Sequence, residues 1–361
     1  MLIVDIIAGA RPNFMKIAPI IHEIDSRRDL DLKYRLIHTG QHYDKKMSES
    51  FFDQLNIPKP QINLGVGSGT QAEQTGGIMV GYEKAIEEQR PDVCIVVGDV
   101  TSTLACTLVA KKAGIIVAHV EGGIRSGDQT MPEEINRMAT DSICDYFYTT
   151  SSLANDNLRR LGHKPDQIVF VGNTMIDTLR ANEDRLRKPP IFKELDLSVG
   201  RYFVLTLHRP ANVDEENKLN YFLETIATGA RGLPVIFPIH PRTKKMFEKS
   251  AETFSNIHLV DPLGYLEFNY LVKHSKAMIT DSGGITEETT VMGIPCMTLR
   301  DNTERPETIS IGTNELVGTN PDDLKPYFDK LFAGEWKKGG IPELWDGKTS
   351  ARIIDHLTTL S

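Results

Sequence analysis

The stretch MLIVDIIAGARPNFMKIAPIIHEIDS, residues 1–26, contains the repeating unit that decides the fold. Leu2–Ile7 is a short apolar run rich in β-branched residues and is predicted to be a buried strand. Gly9 allows a tight turn, Pro12 suits the first turn of a helix, and Phe14–Ser26 follows with amphipathic spacing. A buried strand that leads directly into a helix is typical of α/β proteins with parallel sheets.

Strand and helix alternate in the same way along two runs of the chain, which predicts two α/β units. The predicted strands of the first run are Leu2–Ile7, Tyr34–His38, Val93–Val97, Ile115–Val120, Tyr146–Thr149 and Ile168–Val171. The predicted helices of this run include Phe14–Ser26, Gln71–Glu88, Thr101–Lys112, Glu133–Ile143 and Leu153–Leu161. The predicted strands of the second run are Tyr202–Thr206, Val235–Pro238, Ile257–Leu259, Ala277–Thr280 and Cys296–Leu299. Its predicted helices are Asp214–Ala230, Arg242–Ser250, Tyr265–Lys273 and Gly284–Met292.

A charged, proline-containing segment, Asn182–Gly200, lies between the two runs and is the predicted linker. The chain of 361 residues is also too long for one ordinary core. We therefore expect two Rossmann-like, doubly wound α/β domains, residues 1–178 and 179–347. Ligands of open α/β sheets bind at the carboxyl ends of the strands, so the cleft between the two domains is the predicted active site.

The composition is that of a globular protein, with 40% hydrophobic and 25% charged residues. The formal net charge of -8 and the pI of about 5.7 argue against a nucleic-acid partner, although a few local cations suffice to hold a diphosphate. No apolar run is long enough to cross a membrane, and the N-terminus lacks the basic segment of a signal peptide. The four cysteines form no Cys-x-x-Cys pair and are expected to be buried thiols of a cytoplasmic protein.

Acidic residues follow two predicted strands of the first run. Asp99 comes directly after the strand in VVGDVTST, and Glu121 follows the strand in HVEGGIRSGD. Glu133 begins a helix in MPEEINR, four residues before Arg137. Carboxylates gathered at one sheet edge are a recognised source of acid and base groups. Each also has a structural alternative, Asp99 as a helix cap and Glu133 with Arg137 as an exposed ion pair.

Basic residues and a histidine follow other predicted strands. Arg11 and Lys16 lie in GARPNFMK, where an anion bound at the helix N-terminus would explain them; the alternative for Arg11 is a surface loop. This segment does not match G-x-G-x-x-G, so no dinucleotide cofactor is predicted. His208 in TLHRPAN is a candidate ligand or acid, although most lone histidines are structural.

The segment TDSGGITEET is the most specific single signal. Ser282, Gly283 and Gly284 form a turn into a helix, where backbone N–H groups and the helix dipole favour a phosphate. Glu288 lies about one helical turn further on, where a carboxylate accepts hydrogen bonds from a ribose. The structural alternative is an ordinary tight turn. Two arginines of RDNTERPE, Arg300 and Arg305, are candidates for contacts with the diphosphate or the sugar.

Eight segments occur in a fixed order along the chain: GARPNFMK, GDVTST, HVEGGIRSGD, MPEEINR, VGNTMID, TLHRPAN, DSGGITEE and RDNTERPE. Together they closely resemble the non-hydrolysing UDP-N-acetylglucosamine (UDP-GlcNAc) 2-epimerase family over nearly the whole chain. The resemblance implies the GT-B arrangement of two Rossmann-like domains, with UDP-GlcNAc or UDP in the cleft. It also implies a homodimer and a C-terminal helix, residues 348–361, that packs on the first domain.

The resemblance assigns roles to individual residues. Asp99, Glu121 and Glu133 match the family's acid/base carboxylates, and His208 matches its catalytic histidine beside the diphosphate. The positions that match its substrate-binding residues are Arg11, Lys16, Arg137, Arg305, Ser282, Gly283, Gly284 and Glu288. No cofactor and no metal are implied.

Two segments depart from the family pattern. Bacterial members have a Gln-His-Arg-Glu loop that helps to bind a second, activating UDP-GlcNAc. Residues 41–44 here read Gln-His-Tyr-Asp, so Gln41 and His42 are the candidate allosteric residues and the arginine is missing. The usual Glu-Ala-Gly-Leu-Arg reads Glu-Gly-Gly-Ile-Arg at residues 121–125, which removes no functional group.

The reaction implied is reversible epimerisation at C2 of UDP-GlcNAc, by elimination of UDP to 2-acetamidoglucal and re-addition. The alternatives are a hydrolysing 2-epimerase, an epimerase for a related UDP-diacetamido sugar, a GT-B glycosyltransferase and a catalytically silent nucleotide-sugar-binding protein. A glycosyltransferase would share the nucleotide-binding half but does not call for the carboxylate cluster.

Overall fold

The protein is described here by a computed structural model, over residues 1–27, 29–40, 52–239 and 254–360. The chain forms two compact units. The N-terminal unit consists of Met1–Ala181 together with Glu343–Ser361, and the C-terminal unit consists of Asn182–Pro342. The chain therefore passes from one unit to the other twice.

The N-terminal unit alternates strands and helices. Its strands are β1 (Leu2–Ala8), β2 (Leu32–His38), β3 (Ile62–Asn63), β4 (Val93–Val97), β5 (Ile116–Val120), β6 (Tyr146–Thr149) and β7 (Ile168–Phe170). Its helices before the first crossing are α1 (Arg11–Ser26), α2 (Gln71–Glu88), α3 (Thr101–Lys112), α4 (Pro132–Asp141), α5 (Ser152–Arg160) and α6 (Thr174–Ala181).

The C-terminal unit repeats this alternation. Its strands are β8 (Phe203–Thr206), β9 (Val235–Pro238), β10 (Ile257–Val260), β11 (Ala277–Thr280), β12 (Cys296–Thr298) and β13 (Asn314–Leu316). Its helices are α7 (Ile191–Glu194), α8 (Pro210–Val213), α9 (Glu216–Gly229), α10 (Tyr265–Lys273), α11 (Gly283–Met292), α12 (Pro306–Ser310) and α13 (Leu324–Ala333). The last helix of the chain, α14 (Thr349–Leu357), belongs to the N-terminal unit.

Both sheets have the doubly wound strand order. The first runs β3-β2-β1-β4-β5-β6-β7 and the second runs β10-β9-β8-β11-β12-β13, with parallel pairing throughout the described strands. The direction of winding reverses between β1 and β4 in one sheet and between β8 and β11 in the other. Such a reversal opens a crevice at the carboxyl ends of the two strands, where ligands of this fold class bind. The prediction of two doubly wound α/β units is confirmed.

The sheets are buried on both faces. All five residues of β4 are buried, and so are the apolar residues of β11 and β12. Strands covered by helices on both sides need apolar side chains at consecutive positions rather than at alternate ones. This requirement explains why the central strands were recognisable from sequence as continuous apolar runs.

The C-terminal segment contributes to the core of the N-terminal unit. The indole of Trp345 is buried and donates from Nε1 to the carbonyl oxygen of Thr150 at 3.0 Å. The carboxylate of Asp177 accepts hydrogen bonds from the backbone N–H groups of Thr349 and Ser350, at 3.1 and 2.7 Å, and so caps α14. The apolar face of α14 is buried in the same unit.

The segment Asn182–Gly200 is not an extended linker. Phe192 and Leu197 are buried in the core of the C-terminal unit, and Glu183 pairs with Lys273 at 2.8 Å. The chain passes between the two units at the start of this segment, between Ala181 and Asn182, and the rest of the segment is part of the C-terminal unit. The two apolar residues that attach it to the core are spaced among many charges, so the sequence pattern does not reveal them. The helix predicted at Arg242–Ser250 lies outside the described residues.

The four cysteines are free and buried, as the sequence predicts. Burial raises the pKa of each thiol. None of the helices in the described part of the chain combines the length and the apolar character that a membrane span requires.

Candidate active site

Asn13 organises the crevice of the N-terminal unit. Its Oδ1 accepts hydrogen bonds from the backbone N–H groups of Gly9 and Ala10, at 3.0 and 2.9 Å. Its Nδ2 donates to the carbonyl oxygen of Val97 at 3.1 Å. One buried side chain thus ties the turn after β1 to the end of β4, the two strands between which the winding reverses. This role is not recognisable from sequence, because the partner lies 84 residues away in the chain.

Glu121 and Lys16 form a buried ion pair in this crevice. Lys16 Nζ lies 2.7 Å from Glu121 Oε2, and the two side chains are only 13% and 4% exposed. Glu121 has a φ of 71°, in the left-handed region that non-glycine residues seldom adopt. Backbone strain of this kind costs about 1–3 kcal/mol and is found mainly at functional sites. The fold holds this carboxylate in a strained position and provides it with a cation.

Asp99 is held by Arg137, and the pair is only partly buried. Arg137 Nη2 lies 2.5 Å from Asp99 Oδ2, and its Nη1 lies 2.6 Å from Glu134 Oε2. The side chain of Asp99 is 28% exposed, while that of Arg137 is 4% exposed. Asn136 fixes the backbone here by donating from Nδ2 to the carbonyl oxygen of Asp99 at 2.8 Å. The Asp99 carboxylate is therefore fixed by Arg137 and Asn136 and remains partly accessible to a ligand.

Glu134, the neighbour of the predicted Glu133, is the helix partner of Arg137. Burial acts to raise the pKa of Glu134, but hydrogen bonds from the N–H groups of Ser126 and Gly127 and from Arg137 outweigh it, so this pKa is lowered. Arg137 is therefore not part of an exposed Glu133 ion pair. Glu133 itself is half-buried in the first turn of α4.

A buried polar network supports the loops that carry Asp99 and Glu121. His119, on β5, donates from Nε2 to the carbonyl oxygen of Gly98, and its Nδ1 lies 2.7 Å from Asp141 Oδ1. Asp141 also accepts from the N–H of Gly123 at 3.0 Å and from Arg125 Nη1 at 2.6 Å. Gly98 precedes Asp99 and Gly123 lies two residues after Glu121, so the network fixes both loops. No local sequence pattern predicts this network.

In the C-terminal unit, His208 is paired with Asp281. His208 Nδ1 lies 2.6 Å from Asp281 Oδ1, and the histidine ring is 62% exposed whereas the carboxylate is fully buried. Asp281 also accepts hydrogen bonds from the N–H groups of His208 and Arg209 and from Asn212 Nδ2. Burial acts to raise the pKa of Asp281, but these interactions, that of His208 foremost, lower it overall. The pair lies after β8 and β11, the two strands between which the winding reverses, and its imidazole is held through Nδ1 and exposed to solvent.

Asp281 was missed although it had a sequence signal. It directly follows β11, as Asp99 follows the β4 turn, and it lies next to Ser282 in TDSGG. Ser282 is the N-cap residue of α11, and Gly283 and Gly284 are its first two residues. The predicted turn into a helix is therefore present. Arg305 is buried and paired through Nε with Oε1 of Glu287, which lies on α11.

Glu288 lies on α11 and is fully buried. It accepts hydrogen bonds from Tyr265 Oη at 2.8 Å and from Asn269 Nδ2 at 3.3 Å. Burial raises its pKa from 4.5 to about 7; the two hydrogen bonds act to lower it, and the neighbouring charge of Glu287 to raise it. A carboxylate with this pKa gains from any further hydrogen-bond donor that favours its ionised form.

Three predicted residues cannot be placed. Gln41 and His42 lie outside the described residues. For Arg11 the structure gives only the backbone, which begins α1.

Comparison with known proteins assigns the family. The family model for UDP-N-acetylglucosamine 2-epimerase matches residues 23–358. This chain belongs to the UDP-N-acetylglucosamine 2-epimerase family. It is 41% identical to a UDP-N-acetylglucosamine 2-epimerase of Methanocaldococcus jannaschii, with 98% of each chain covered. It is also 38% identical to a UDP-2,3-diacetamido-2,3-dideoxy-D-glucuronate 2-epimerase of Pseudomonas aeruginosa, which covers 98% of this chain and 99% of that one.

The fold comparison agrees with the sequence comparison. A crystal structure of the M. jannaschii UDP-GlcNAc 2-epimerase in complex with UDP-GlcNAc and UDP matches with a TM-score of 0.87 and 40% identity. The match covers 99% of this chain and 100% of that chain. The resemblance to the 2-epimerase family is thereby confirmed.

One departure from the 2-epimerase pattern has a structural reason. Where the family usually has alanine, this chain has Gly122, and a Cβ at that position would lie 2.9 Å from Cδ1 of Phe147. Phe147 is a fully buried residue of β6. Glycine therefore makes room for a large aromatic ring beneath the loop that carries Glu121.

Proposed function

We propose that this protein catalyses the reversible epimerisation of UDP-GlcNAc at C2, giving UDP-N-acetylmannosamine. The observation that carries the proposal is the presence of two carboxylates, Glu121 and Asp99, each paired with its own cation at the carboxyl edge of one sheet. Acid/base chemistry at one carbon needs two such groups, and family membership supplies the substrate class. A GT-B glycosyltransferase does not require this arrangement.

The chemistry follows from the position of the reacting carbon. C2 is not adjacent to a carbonyl, so its proton becomes acidic only as the C1–O bond to UDP breaks. The electron pair of that bond leaves with the β-phosphate, and a carboxylate takes the C2 proton, which leaves 2-acetamidoglucal. UDP then returns to C1 while C2 is protonated on the opposite face. The overall reaction involves no net oxidation or reduction.

The two units supply different parts of this reaction. Asp99, Glu121 and Glu133 provide the acid and base groups, and Lys16, Arg137 and Arg11 provide positive charge. His208, Arg305 and the N-terminus of α11 bind the departing diphosphate, and Glu288 accepts hydrogen bonds from the ribose. Preorganised charge of this kind stabilises the developing phosphate anion more effectively than water does.

Exchange with solvent tests the mechanism. Because C2–H is removed and replaced from solvent, both UDP sugars should acquire deuterium at C2 when the protein turns over UDP-GlcNAc in D2O, as followed by NMR. Turnover without label would contradict elimination and indicate internal hydrogen transfer. Release of free N-acetylmannosamine with UDP would instead indicate a hydrolysing epimerase.

A second candidate substrate is a UDP-2,3-diacetamido uronate. The observation in its favour is the 38% identity to the P. aeruginosa enzyme over nearly the whole chain. Initial rates with both UDP sugars, measured side by side without any acceptor, decide between them. A higher kcat/KM for the diacetamido uronate would replace UDP-GlcNAc as the substrate.

We also propose that the protein is a cytoplasmic homodimer. The observation offered for the dimer is that Val80 on α2 and Ile135 and Met138 on α4 are 55%, 54% and 42% exposed, since a second copy would cover such side chains. The buried free thiols suit a reducing compartment. Light scattering after gel filtration gives the mass, and a monomer at all concentrations would contradict the dimer.

A further inference from the structure

The N-terminus of α11 has the properties of an anion site. Ser282 is its N-cap residue but makes no side-chain capping hydrogen bond, and the first turn contains no acidic residue. The first backbone N–H groups of a helix have no partner within the helix, and the dipole makes that end positive. A negative charge from elsewhere is needed to complete this end of the helix.

In the structure that charge comes from Glu304. A Cβ added to Gly283 would lie only 2.4 Å from Glu304 Oε1 and 3.3 Å from its Cδ. The carboxylate thus rests directly against the first residue of α11, where only glycine allows it to come so close. Glu304 belongs to the loop after β12, so the contact is made by the fold and not by the helix itself.

Arg300 is the second part of the anion site at the N-terminus of α11. Its side chain is only 3% exposed, and its Nη2 lies 2.7 Å from Glu304 Oε2 and 3.1 Å from Asn302 Oδ1. Its Nε and Nη1 are buried and, within the described residues, have no hydrogen-bond partner. Nη1 is also close to α11, 3.4 Å from the place a Cβ of Gly283 would take. Buried guanidinium donors without acceptors are costly, and they point to an anion with more oxygens than one carboxylate offers.

We propose that Arg300 is a diphosphate-binding residue, and that Glu304 is an internal anion which occupies the same site until a phosphate group of the UDP moiety replaces it. The proposal rests on the function proposed above and adds a competition to it. With Glu304 in place, neither Arg300 nor the N-terminus of α11 lacks a counter-charge. A phosphate offers enough oxygens for both the N–H groups and the remaining guanidinium donors. The carboxylate therefore lowers the affinity for UDP, because only the fraction of molecules with the site open binds it.

Calorimetric titration of UDP and of uridine tests the competition. Glu304→Gln removes the competing charge, so UDP should bind at least about fivefold more tightly if the carboxylate occupies the site most of the time. Glu304→Asp, whose shorter side chain reaches less far toward Gly283, should act in the same direction. Uridine has no phosphate, so its affinity should not change. Arg300→Lys should weaken UDP binding by about tenfold or more, because an ammonium cannot replace a planar guanidinium fork.

A matched control is Glu23→Gln, which breaks another Arg–Glu pair of four-residue spacing, Arg27–Glu23 at 2.6 Å in the N-terminal unit. It should leave UDP affinity unchanged.

Unchanged or weaker UDP binding by both Glu304 variants, or an equal gain for uridine, would overturn the proposal and make Glu304 a structural cap of α11. If Glu304→Gln tightens UDP while the wild type incorporates no deuterium at C2, the proposed reaction fails and the anion exchange stands. If the wild type turns over but neither variant binds UDP more tightly, only the exchange fails. A wild type that does not bind UDP overturns both.

Discussion

Two cations, Lys16 and Arg137, are paired with two of the candidate carboxylates, Glu121 and Asp99. A carboxylate that is to remove a proton must be ionised although it is shielded from water, and an adjacent cation favours that state. Glu121 has this support inside the protein, whereas Asp99 keeps part of its surface open. The two groups thus differ in environment, which is how enzymes separate acid and base roles between similar side chains.

Amide substitutions test these groups. Asp99→Asn, Glu121→Gln and Glu133→Gln should each lower kcat by about a hundredfold or more, the usual scale for a lost acid or base. UDP affinity should change little, since the proposed nucleotide contacts lie in the C-terminal unit. Steady-state kinetics and calorimetry provide the two measurements. Glu87→Gln, on an exposed position of α2, is the control and should keep full activity. Near wild-type rates in all three variants would show that the reaction takes place elsewhere.

If Glu288 binds the ribose as proposed, UDP binding should depend on pH. Its pKa of about 7 means that it is half protonated near neutral pH, and ribose hydroxyls donate best to the ionised form. Uridine affinity should therefore fall as the pH is lowered through 7, by about tenfold between pH 8 and pH 6. Uridine is the better probe here because it lacks the titrating phosphate of UDP. Glu288→Gln keeps an acceptor for Tyr265 and Asn269 and should give a flat profile. An equally steep profile in that variant would assign the titration to another group.

Glu288 also makes the free energy of unfolding depend on pH. Its contribution decreases as the pH rises, whereas that of a carboxylate with a lowered pKa increases. Because the pKa of Glu288 is raised on folding, from 4.5 to about 7, the folded state binds the proton more tightly than the unfolded state does. Its contribution to the free energy of unfolding is fully present below pH 4.5 and is lost as the pH rises through 7. The protein thus keeps at this position a carboxylate that costs stability at neutral pH, as functional sites often do.

Position after a strand made several candidate residues recognisable from sequence. Asp99, Glu121 and His208 each follow an apolar run, and the carboxyl ends of parallel strands share one edge of a sheet. The roles of Asp281 and Asp141 depend on partners that are 73 and 22 residues away, and only Asp281 had a local signal, its position directly after an apolar run. Nothing in the local spacing predicts such pairs. Glu304 was missed for the same reason, since its contact with α11 exists only once the loop after β12 has folded.

At the scale of elements, long apolar runs predicted the central strands. Two short edge strands were not predicted. β3 has two residues and β13 has three, too few for a periodic pattern. The predicted and observed limits agree for three helices, α2, α3 and α10, with or without a side-chain cap. Thr70 and Glu73 form a capping box at the start of α2, and the predicted and observed limits of that helix agree. α13 was not predicted, because its apolar positions directly follow Asn-Pro-Asp-Asp, residues 320–323, which indicates a turn.

The N-termini of α1 and α11 have different acceptors beside them. At α1 the neutral amide oxygen of the buried Asn13 accepts hydrogen bonds from the N–H groups of Gly9 and Ala10, which lie just before the helix. In α11 a carboxylate from a distant loop lies at the end of the helix, against Gly283. A neutral acceptor is part of a permanent structure, whereas a charged group on a separate loop is suited to exchange with a charged ligand. The two doubly wound units are alike in topology and differ in this feature.

At the scale of the whole molecule, the C-terminal unit is inserted into the N-terminal one, whose sequence resumes at Glu343. The returning segment buries Trp345, Ile353, Ile354 and Leu357 almost completely. Four large apolar side chains contribute roughly 6–12 kcal/mol by burial, which is similar to the stability of an entire domain, about 5–15 kcal/mol. The last 19 residues, 343–361, are therefore a structural requirement of the first unit.

Truncation after residue 342 should unfold the N-terminal unit selectively. The buried surface of the returning segment is lost, and the carboxylate of Asp177 is left inside the protein without the Thr349 and Ser350 donors. The C-terminal unit keeps its own sheet and core, so its amides should stay protected. Hydrogen–deuterium exchange read by mass spectrometry should show fast exchange in β1–β7 and slow exchange in β8–β13. Truncation after Leu357 removes only the terminal turn and should leave both patterns unchanged. If the amides of β1 and β4 still exchange slowly after truncation at residue 342, the N-terminal sheet is stable without residues 343–361.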